Sequence, residues 1–298
     1  MAETLLVRYG ELALKSPPVR RQFEDRLKHN LLSALGRAGM SALLRADRGH
    51  LYLEVADARA ALPHVARVFG VVSVSPVVVL PADVESVARE VVERIVPGIP
   101  EGTRFAVRAR RTGTHPFTSQ QLAARVGEAV LEASPSRSLR VDLSHPQFEI
   151  ELEVRANRTY LSTERFAGPG GLPLGVAGRV GAYVDGVRGA LGAYLLMKRG
   201  CRASLVASAE GSPLVEATLR RFDPDLAPEG PLPPEDAWAR LKERAVAEDL
   251  EGVALALSPA EMTSARAYFG ELVLFSPTVG LSEKEVEERW SAVRALAG

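Results

Sequence analysis

The residues best suited to contact a partner are cationic side chains gathered at two places in the chain. They are Arg108, Arg110 and Arg111 in one group, and Lys15, Arg20 and Arg21 in the other. Guanidinium and ammonium groups attract phosphate without regard to sequence, so both groups are candidates for contact with a polyanion. Ordinary solvated surface charge is the alternative for each group.

A second candidate site follows the arginine group directly. Thr118 or Ser119 is a natural N-cap for a helix whose apolar residues include Leu122 and Val126. Free backbone N–H groups at a helix start can hold a terminal phosphate or a ribose, so Phe117, Thr118 and Ser119 are candidate binding residues. For Phe117, packing in the core is the favoured alternative.

The sequence gives little support for thiol or metal chemistry. A single cysteine, Cys201, excludes an internal disulfide and a multi-cysteine zinc site. Its neighbours Lys198, Arg199 and Arg202 favour a lowered thiol pKa, whereas burial as a small hydrophobic side chain is the alternative. The histidines show no metal-ligand spacing and are His29, His50, His64, His115 and His145. We therefore predict no metal site and no catalytic residue.

Composition indicates a globular protein of two or three domains, with 46% hydrophobic and 25% charged residues among 298. No stretch reaches membrane-spanning length and charges interrupt the first fifteen residues, so we expect a cytoplasmic protein without a membrane partner. The net charge of zero hides an asymmetry. Residues 1–180 contain 24 Lys and Arg against 19 Asp and Glu, while residues 181–298 contain 13 against 18. A basic front part favours a polyanion partner for that part.

Hydrophobic periodicity divides the chain into successive parts. Residues 5–79 read as strand, helix, two strands, helix and strand, the order of a ferredoxin-like α+β unit. Helices and alternating strands continue through residues 84–164, and residues 168–175 are rich in glycine and proline. Beyond them strands and helices alternate, which favours an open, mostly parallel sheet in an α/β domain.

Four phrases resemble, in order and spacing, the tRNA 4-thiouridine sulfurtransferases of the ThiI type. They are VRYGELALKS, RARRTGTHPFTSQQL, STERFAGPGGLPLG and AYLLMKRG. A weaker likeness returns at residues 275–285, which are similar to the family's Pro-Leu-Ile-Gly-Leu-Asp-Lys-Glu-Glu segment. The first 200 residues carry most of the resemblance.

The resemblance implies three domains and tRNA as the partner. They are a ferredoxin-like domain at 1–80, a THUMP domain at 81–167 that holds the 3′ end of tRNA, and a PP-loop ATPase-like domain at 179–298, which follows a linker at 168–178. The resemblance also implies a homodimer. On this reading the two cationic groups and residues 117–119 contact RNA.

The ATP-binding loop departs from the family pattern. The family reads Ser-Gly-Gly-x-Asp-Ser, and the corresponding positions here are Val184, Asp185, Gly186, Val187, Arg188 and Gly189. Only Gly186 keeps its identity, and the carboxylate of Asp185 opposes a bound phosphate. Arg188 is open to pairing with a phosphate or with Asp185, or to serving as a structural salt bridge. This degenerate PP-loop predicts no resident cofactor.

These observations leave alternative functions open. The favoured one is a tRNA-binding protein without ATP-dependent adenylation, docking a separate tRNA-modifying enzyme or a sulfur carrier. The alternative is a divergent, active sulfurtransferase in 4-thiouridine or thiamine-related sulfur transfer, which would use ATP and Mg²⁺. A third is an assembly module whose acidic last part mediates self-association.

Overall fold

The structure, a computed structural model, describes residues 3–11, 16–47 and 49–298. Its helices are α1 Pro17–Arg37, α2 Ala58–Ala66, α3 Val84–Arg94, α4 Ser119–Glu132, α5 Val187–Lys198, α6 Gly211–Ala217, α7 Pro234–Ala247, α8 Met262–Phe269 and α9 Glu283–Ala297. Its strands are β1 Glu3–Tyr9, β2 Ala42–Asp47, β3 His50–Val55, β4 Val71–Pro81, β5 Arg104–Thr112, β6 Arg140–Val141, β7 Phe148–Arg155, β8 Arg158–Ser162, β9 Phe166–Ala167, β10 Arg179–Val184, β11 Arg202–Ala207, β12 Gly252–Ala254 and β13 Val273–Phe275.

The first six elements have the β-α-β-β-α-β order predicted for a ferredoxin-like domain. Prolines occupy the start of α1, where the missing N–H has no intrahelical partner to lose. Leu27, Leu31 and Leu35 recur at helical spacing and are fully buried, so α1 presents one apolar face. The fold class expected from periodicity is confirmed.

The strands of the first sheet run in the order β2-β3-β1-β4-β8-β7-β5-β6, with β9 paired to β4. Strands β5 and β7 are parallel neighbours that align Arg108 with Glu151, whereas β7 and β8 form an antiparallel pair. Strand β6 pairs with β5 only at Arg104 and Phe105. Within the described chain, the rest of β5 therefore forms an edge of the sheet.

Helices α3 and α4 cover one face of this part of the sheet. Val87 and Val91 of α3 and Leu122 and Val126 of α4 join a cluster that includes Phe105 of β5. Phe105, Ala106 and Val107 of β5 are buried, whereas Arg104, Arg108 and Arg110 are exposed. The predicted amphipathic strand is thus positioned as expected.

The last part of the chain contains a four-stranded sheet in the order β11-β10-β12-β13, with all neighbours parallel. Val184 of β10 belongs to a core shared with α5, α6 and α9. Tyr183, the next residue along the strand, belongs to a second core with α7 and α8. Helices therefore cover both faces, which is typical of parallel sheets.

By its internal contacts the chain divides into two compact units. One unit contains Tyr52–Ala60 and Ser75–Phe166 with residues 3–6, and the other contains Ala61–Val74, Ala167–Gly298 and the described part of 7–51. Residues 168–178 contain neither helix nor strand. Among the residues described, none of the helices combines the length and apolar character needed to cross a bilayer.

Candidate nucleic-acid interface

A groove of about 750 Å³ follows the exposed edge of β5. One wall is the flank of α4 from Ser119 to Leu131, and the other includes Val141 of β6 and Leu143 from the segment after it. We call it the edge-strand groove. All of its lining residues lie in one compact unit.

Arg108 in this groove is held by its own neighbours. Its Nε donates to Oε1 of Glu149 over 3.2 Å, and its Nη2 donates to the carbonyl of Leu143 over 2.5 Å. Arg165 pairs in the same way with Glu151, at 3.4 Å. The guanidinium groups of Arg108 and Arg165 are therefore held by contacts within the protein.

Arg110 and Arg111 differ in their surroundings although both are exposed. Arg110 lines the groove and has no hydrogen bond or ion pair within the described ranges. Arg111 does not line the groove, and its Nη1 donates to the carbonyl of Gly113 over 2.9 Å. The structure therefore brings Arg108 and Arg110 together in the groove and leaves Arg111 outside it.

The charge of the groove is close to balanced. Its lining contains Arg108, Arg110 and Arg165 together with four glutamates, which are Glu128, Glu149, Glu151 and Glu153. Attraction for a long phosphate backbone is therefore weak here, since salt-dependent binding grows with the number of phosphates neutralised. A short ligand held by a few directed contacts suits the groove better.

The start of α4 supplies directed donors at the mouth of the groove. Thr118 caps the helix: its Oγ1 accepts from the N–H of Gln121 over 3.1 Å, and its own N–H donates to Oε1 of Gln121 over 2.8 Å. This capping box confirms the predicted helix start. The N–H groups of Ser119 and Gln120 lie in the first turn, where helix geometry leaves them without an intrahelical acceptor.

Phe117 is half-buried and packs against the core under α3 and α4. Its ring centroid lies 5.6 Å from that of His115. Packing, the favoured alternative for this residue, therefore agrees with its position. Ser119 lines the groove, while Phe117 and Thr118 do not.

Apolar side chains in the groove were not identified from the sequence. Leu131, Val141 and Leu143 line it and are 40%, 50% and 59% exposed. The alternation of Leu139, Val141 and Leu143 is the signal that could have revealed them, because it indicates a strand edge. Exposed apolar surface beside hydrogen-bond donors is suited to the flat face of a base.

The second cationic group lies near the start of α1. Lys15 is outside the described residues. Arg20 is exposed, and its Nε lies 3.8 Å from Oε1 of Glu24, which also accepts a 2.5 Å hydrogen bond from the hydroxyl of Tyr9. Arg21 is exposed without a hydrogen bond or ion pair inside the described ranges.

The loop between β10 and α5 joins a parallel strand to a helix, the arrangement in which phosphate-binding loops occur. A Cβ added at Gly189 would lie 2.6 Å from Oδ1 of Asp185, so the carboxylate rests against the first turn of α5. Desolvation raises the pKa of Asp185, and the nearby carboxylates of Glu261 and Glu210 raise it further. The loop therefore places a carboxyl group beside the first turn of α5.

The guanidinium group of Arg188 is bound to the segment that precedes α9. Its Nη1 donates to the carbonyl of Thr278, and its Nη2 donates to the carbonyl of Leu281, each over 2.9 Å. Nη2 also lies 2.6 Å from Oε1 of Glu283. Of the alternatives for this residue, the structural salt bridge agrees with the geometry. Val184, Asp185, Gly186, Arg188 and Gly189 thus join β10 to α5, with the guanidinium group of Arg188 bound to the segment 278–283.

Cys201 belongs to the core between the sheet and α5 and is 8% exposed. Its Sγ lies 3.2 Å from the carbonyl of Ala177. Burial raises the pKa of the thiol, and the opposing effect of Arg199 is smaller. The position agrees with a small hydrophobic side chain and not with an activated nucleophile. Within the described residues, no cluster of histidine, cysteine or acidic side chains is placed to hold a metal ion.

Sequence comparison agrees with the geometry of the first two domains. Residues 4–75 match the ThiI ferredoxin-like domain, and residues 81–164 match the THUMP domain. The chain thus contains a ThiI-type ferredoxin-like domain followed by a THUMP domain. All residues that line the edge-strand groove, except Arg165, lie within the region that matches the THUMP domain.

Curated relatives in archaea carry the name tRNA sulfurtransferase. A "Probable tRNA sulfurtransferase" of Methanosarcina acetivorans is 40% identical over 225 residues, which cover 74% of this chain and 54% of that protein. One of Methanothermobacter thermautotrophicus is 39% identical over 210 residues, covering 68% and 52%. The chain spans about half the length of these relatives.

Two solved structures share the fold. PH1313 of Pyrococcus horikoshii aligns with a TM-score of 0.79 and 26% identity, covering 98% of this chain and 99% of that one. A 4-thiouridine synthetase solved with RNA and ATP aligns with a TM-score of 0.73 and 18% identity, covering 100% and 86%. The similarity of fold therefore extends past the two matched domains into the last part of the chain.

Proposed function

We propose that this ThiI-type protein binds tRNA and receives the 3′-terminal end in the edge-strand groove. The observation that carries the proposal is the combination, in one groove, of the unpaired Arg110, the helix start at Ser119 and the exposed apolar wall at Leu143. A guanidinium group and helix N–H groups suit a phosphate, and the apolar wall suits a base. The names of the relatives support tRNA as the nucleic acid.

Single-stranded ends are the RNA elements that a short groove can read, because their bases are free to leave the stack. The nearly balanced charge of the groove favours a single-stranded end over an RNA duplex, because binding a duplex backbone requires a broad cationic surface. Arg20, Arg21 and Lys15 remain candidates for additional backbone contacts.

The test compares tRNA with and without its 3′-terminal CCA in binding titrations on the purified protein. Removal of CCA is expected to weaken binding at least tenfold, which corresponds to about 1.4 kcal/mol. Arg110→Gln is expected to weaken the intact tRNA severalfold and to reduce the salt dependence by about one counterion. Arg94→Gln is the matched control, because Arg94 is exposed and already paired with Glu90. Equal affinity for both tRNAs would refute the assignment of the groove.

We propose further that the last domain does not adenylate its tRNA. Asp185 and the carboxylates around it oppose ATP, and Arg188 is already bound to three acceptors. Repeating the titrations with ATP and Mg²⁺ should leave tRNA affinity unchanged and form no AMP.

A divergent active sulfurtransferase is the second candidate function. It is favoured by the names of the relatives and by the parallel sheet retained around the loop. Gly186→Asp separates the two, since no atom lies within 4 Å of a Cβ at Gly186 and the variant should fold. AMP formation that depends on tRNA and disappears in this variant would establish the enzyme.

The organisation of the protein completes the proposal. We assign the domains as 1–80, 81–167 and 179–298, with a linker at 168–178, and expect a cytoplasmic homodimer. In the absence of adenylation, a separate tRNA-modifying enzyme or sulfur carrier would complete the chemistry. Co-purification with such an enzyme on tRNA, lost when the CCA end is removed, would support this arrangement.

A further inference from the structure

A second concavity, of about 560 Å³, lies in the unit that contains α1 and the last domain. Its walls come from α1 near Ser33, from the turn after α2 near Arg67, and from the segment Arg220–Asp225 after α6. Phe69 and Phe222, which are 1% and 7% exposed, contribute to its lining. We call this concavity the basic pocket.

The basic pocket has a strong excess of positive charge. Its ionisable lining residues are Arg37, Arg67, Arg202, Arg220, Arg221, His29, His64, Asp223 and Asp225. Five arginines thus face two aspartates, whereas the edge-strand groove has more glutamates than arginines. The basic pocket, which lies outside the THUMP domain, therefore has more positive charge than the edge-strand groove.

Some of these arginines already have partners. Arg37 pairs with Asp225 at 3.4 Å, Arg220 pairs with Glu216 at 2.6 Å, and Arg67 donates to a backbone oxygen of Gly298 over 2.6 Å. The Arg37–Asp225 and Arg220–Glu216 ion pairs are exposed, so each contributes little to stability and rearranges easily. They supply charge to the pocket without blocking it.

Arg202 and Arg221 differ from these three. Within the described ranges neither forms a hydrogen bond or ion pair with another side chain. Arg202 is half-buried, and Asp223 and Arg202 influence one another electrostatically. Two guanidinium groups therefore face the pocket with their donors available.

Arg67 shows that the cations crowd one another. Burial lowers its pKa, and the charge of Arg221 lowers it further. Like charges held together without an anion between them cost free energy, and a bound anion removes that cost. The buried Asp223 does not cancel them fully, because desolvation raises its pKa and its Oδ1 already accepts from the N–H of Asp225.

We propose that the basic pocket is a binding site for a phosphate group, held mainly by Arg67, Arg202 and Arg221. Planar guanidinium groups bind phosphate through two parallel hydrogen bonds, and three of them match its several oxygens. The phosphate belongs either to a small free phosphate compound or to the backbone of the bound RNA. The site is separate from the edge-strand groove, so it does not depend on the proposed capture of the 3′ end.

Titration with inorganic pyrophosphate in low salt, in the absence of RNA, tests the pocket directly. We expect Arg221→Gln to weaken pyrophosphate binding at least tenfold and Arg221→Lys to weaken it less, because lysine keeps the charge and loses the two-pronged contact. Arg67→Gln should resemble Arg221→Gln. Arg94→Gln makes the same change of charge in the other unit and should alter binding less than twofold.

A parallel titration with tRNA distinguishes the two sources of phosphate. Loss of pyrophosphate binding with unchanged tRNA affinity assigns the pocket to a small free phosphate compound. Loss of tRNA affinity, equal for tRNA with and without CCA, assigns it to the RNA backbone. If neither ligand responds to Arg221→Gln or Arg67→Gln while both variants remain folded, the inference is wrong.

Discussion

Arg188 is expected to fix the segment 276–283 beside the loop, and its replacement should release that segment without unfolding the domain. Its guanidinium group donates to the carbonyls of Thr278 and Leu281 and pairs with Glu283. The Arg188 side chain is 23% exposed and that of Glu283 is 83% exposed. The carbonyl contacts are therefore shielded, while the ion pair is open to solvent.

These exposures set the expected size of the effect. A hydrogen bond from a charged donor contributes about 1.5–3 kcal/mol, whereas an exposed ion pair contributes roughly 0–1 kcal/mol. Arg188→Met removes both carbonyl contacts and should make local opening easier by about 2–3 kcal/mol, allowing for partial exposure. At about 1.4 kcal/mol for each factor of ten, the opening equilibrium rises at least ~30-fold. Glu283→Gln should change it less than about fivefold.

Hydrogen exchange at two amides measures the opening directly. The N–H of Val279 donates to the carbonyl of Ser276 over 3.1 Å, and the N–H of Leu281 donates to that of Thr278 over 3.2 Å. Both should exchange faster in Arg188→Met and almost normally in Glu283→Gln. If Arg188→Met and Glu283→Gln accelerated exchange equally, the prediction would be refuted, because the carbonyl contacts would then stabilise the segment no more than the ion pair does. Retained protection, with a loss of ATP affinity, would instead assign Arg188 to a phosphate.

Three further predictions concern other parts of the chain. Thr118→Ala should cost about 1 kcal/mol in denaturant unfolding through loss of the helix cap, and Thr118→Ser should restore most of it. Gly211→Ala should prevent normal folding, because the added Cβ would lie 1.7 Å from the carbonyl oxygen of Val184. Gly36→Ala should stabilise α1, because the added Cβ meets no atom within 4 Å and alanine favours the helix. The soluble yield and the melting temperature of each variant measure these effects. Cys201 should react with a thiol reagent at pH 8 at least tenfold more slowly in the folded than in the unfolded protein, because burial raises its pKa and the thiolate forms only at higher pH. Equal rates in the two states would contradict its buried position.

The elements that the sequence predicted correctly have strong local signals. Strand β7 alternates apolar and acidic residues, and α4 begins at a threonine followed three residues later by Gln121. The ferredoxin-like order and the parallel sheet of the last domain follow from the succession of such elements. The resemblance to the ThiI-type family added the THUMP domain, which the match to residues 81–164 confirms.

Other elements were not predicted because their signals are short or were read otherwise. Strands β6 and β9 contain two residues each, too few for any periodicity. Helix α9 has a capping box at Ser282 and Glu285, but the segment was interpreted only through its family likeness. Helix α8 was not assigned either, although it packs Phe269 into the core.

The sequence by itself determined the order of the strands and helices, the helix start at Thr118 and the altered loop around Asp185, because these depend on neighbouring residues. Only the tertiary structure decided which arginines have donors available. Arg108 and Arg110 share a strand face and look equivalent in sequence, yet Arg108 is bound to Glu149 while Arg110 is open to solvent. The basic pocket likewise joins Arg67 to Arg221, residues distant in the chain. The charge balance of a site depends on such distant partners, and local sequence does not specify them.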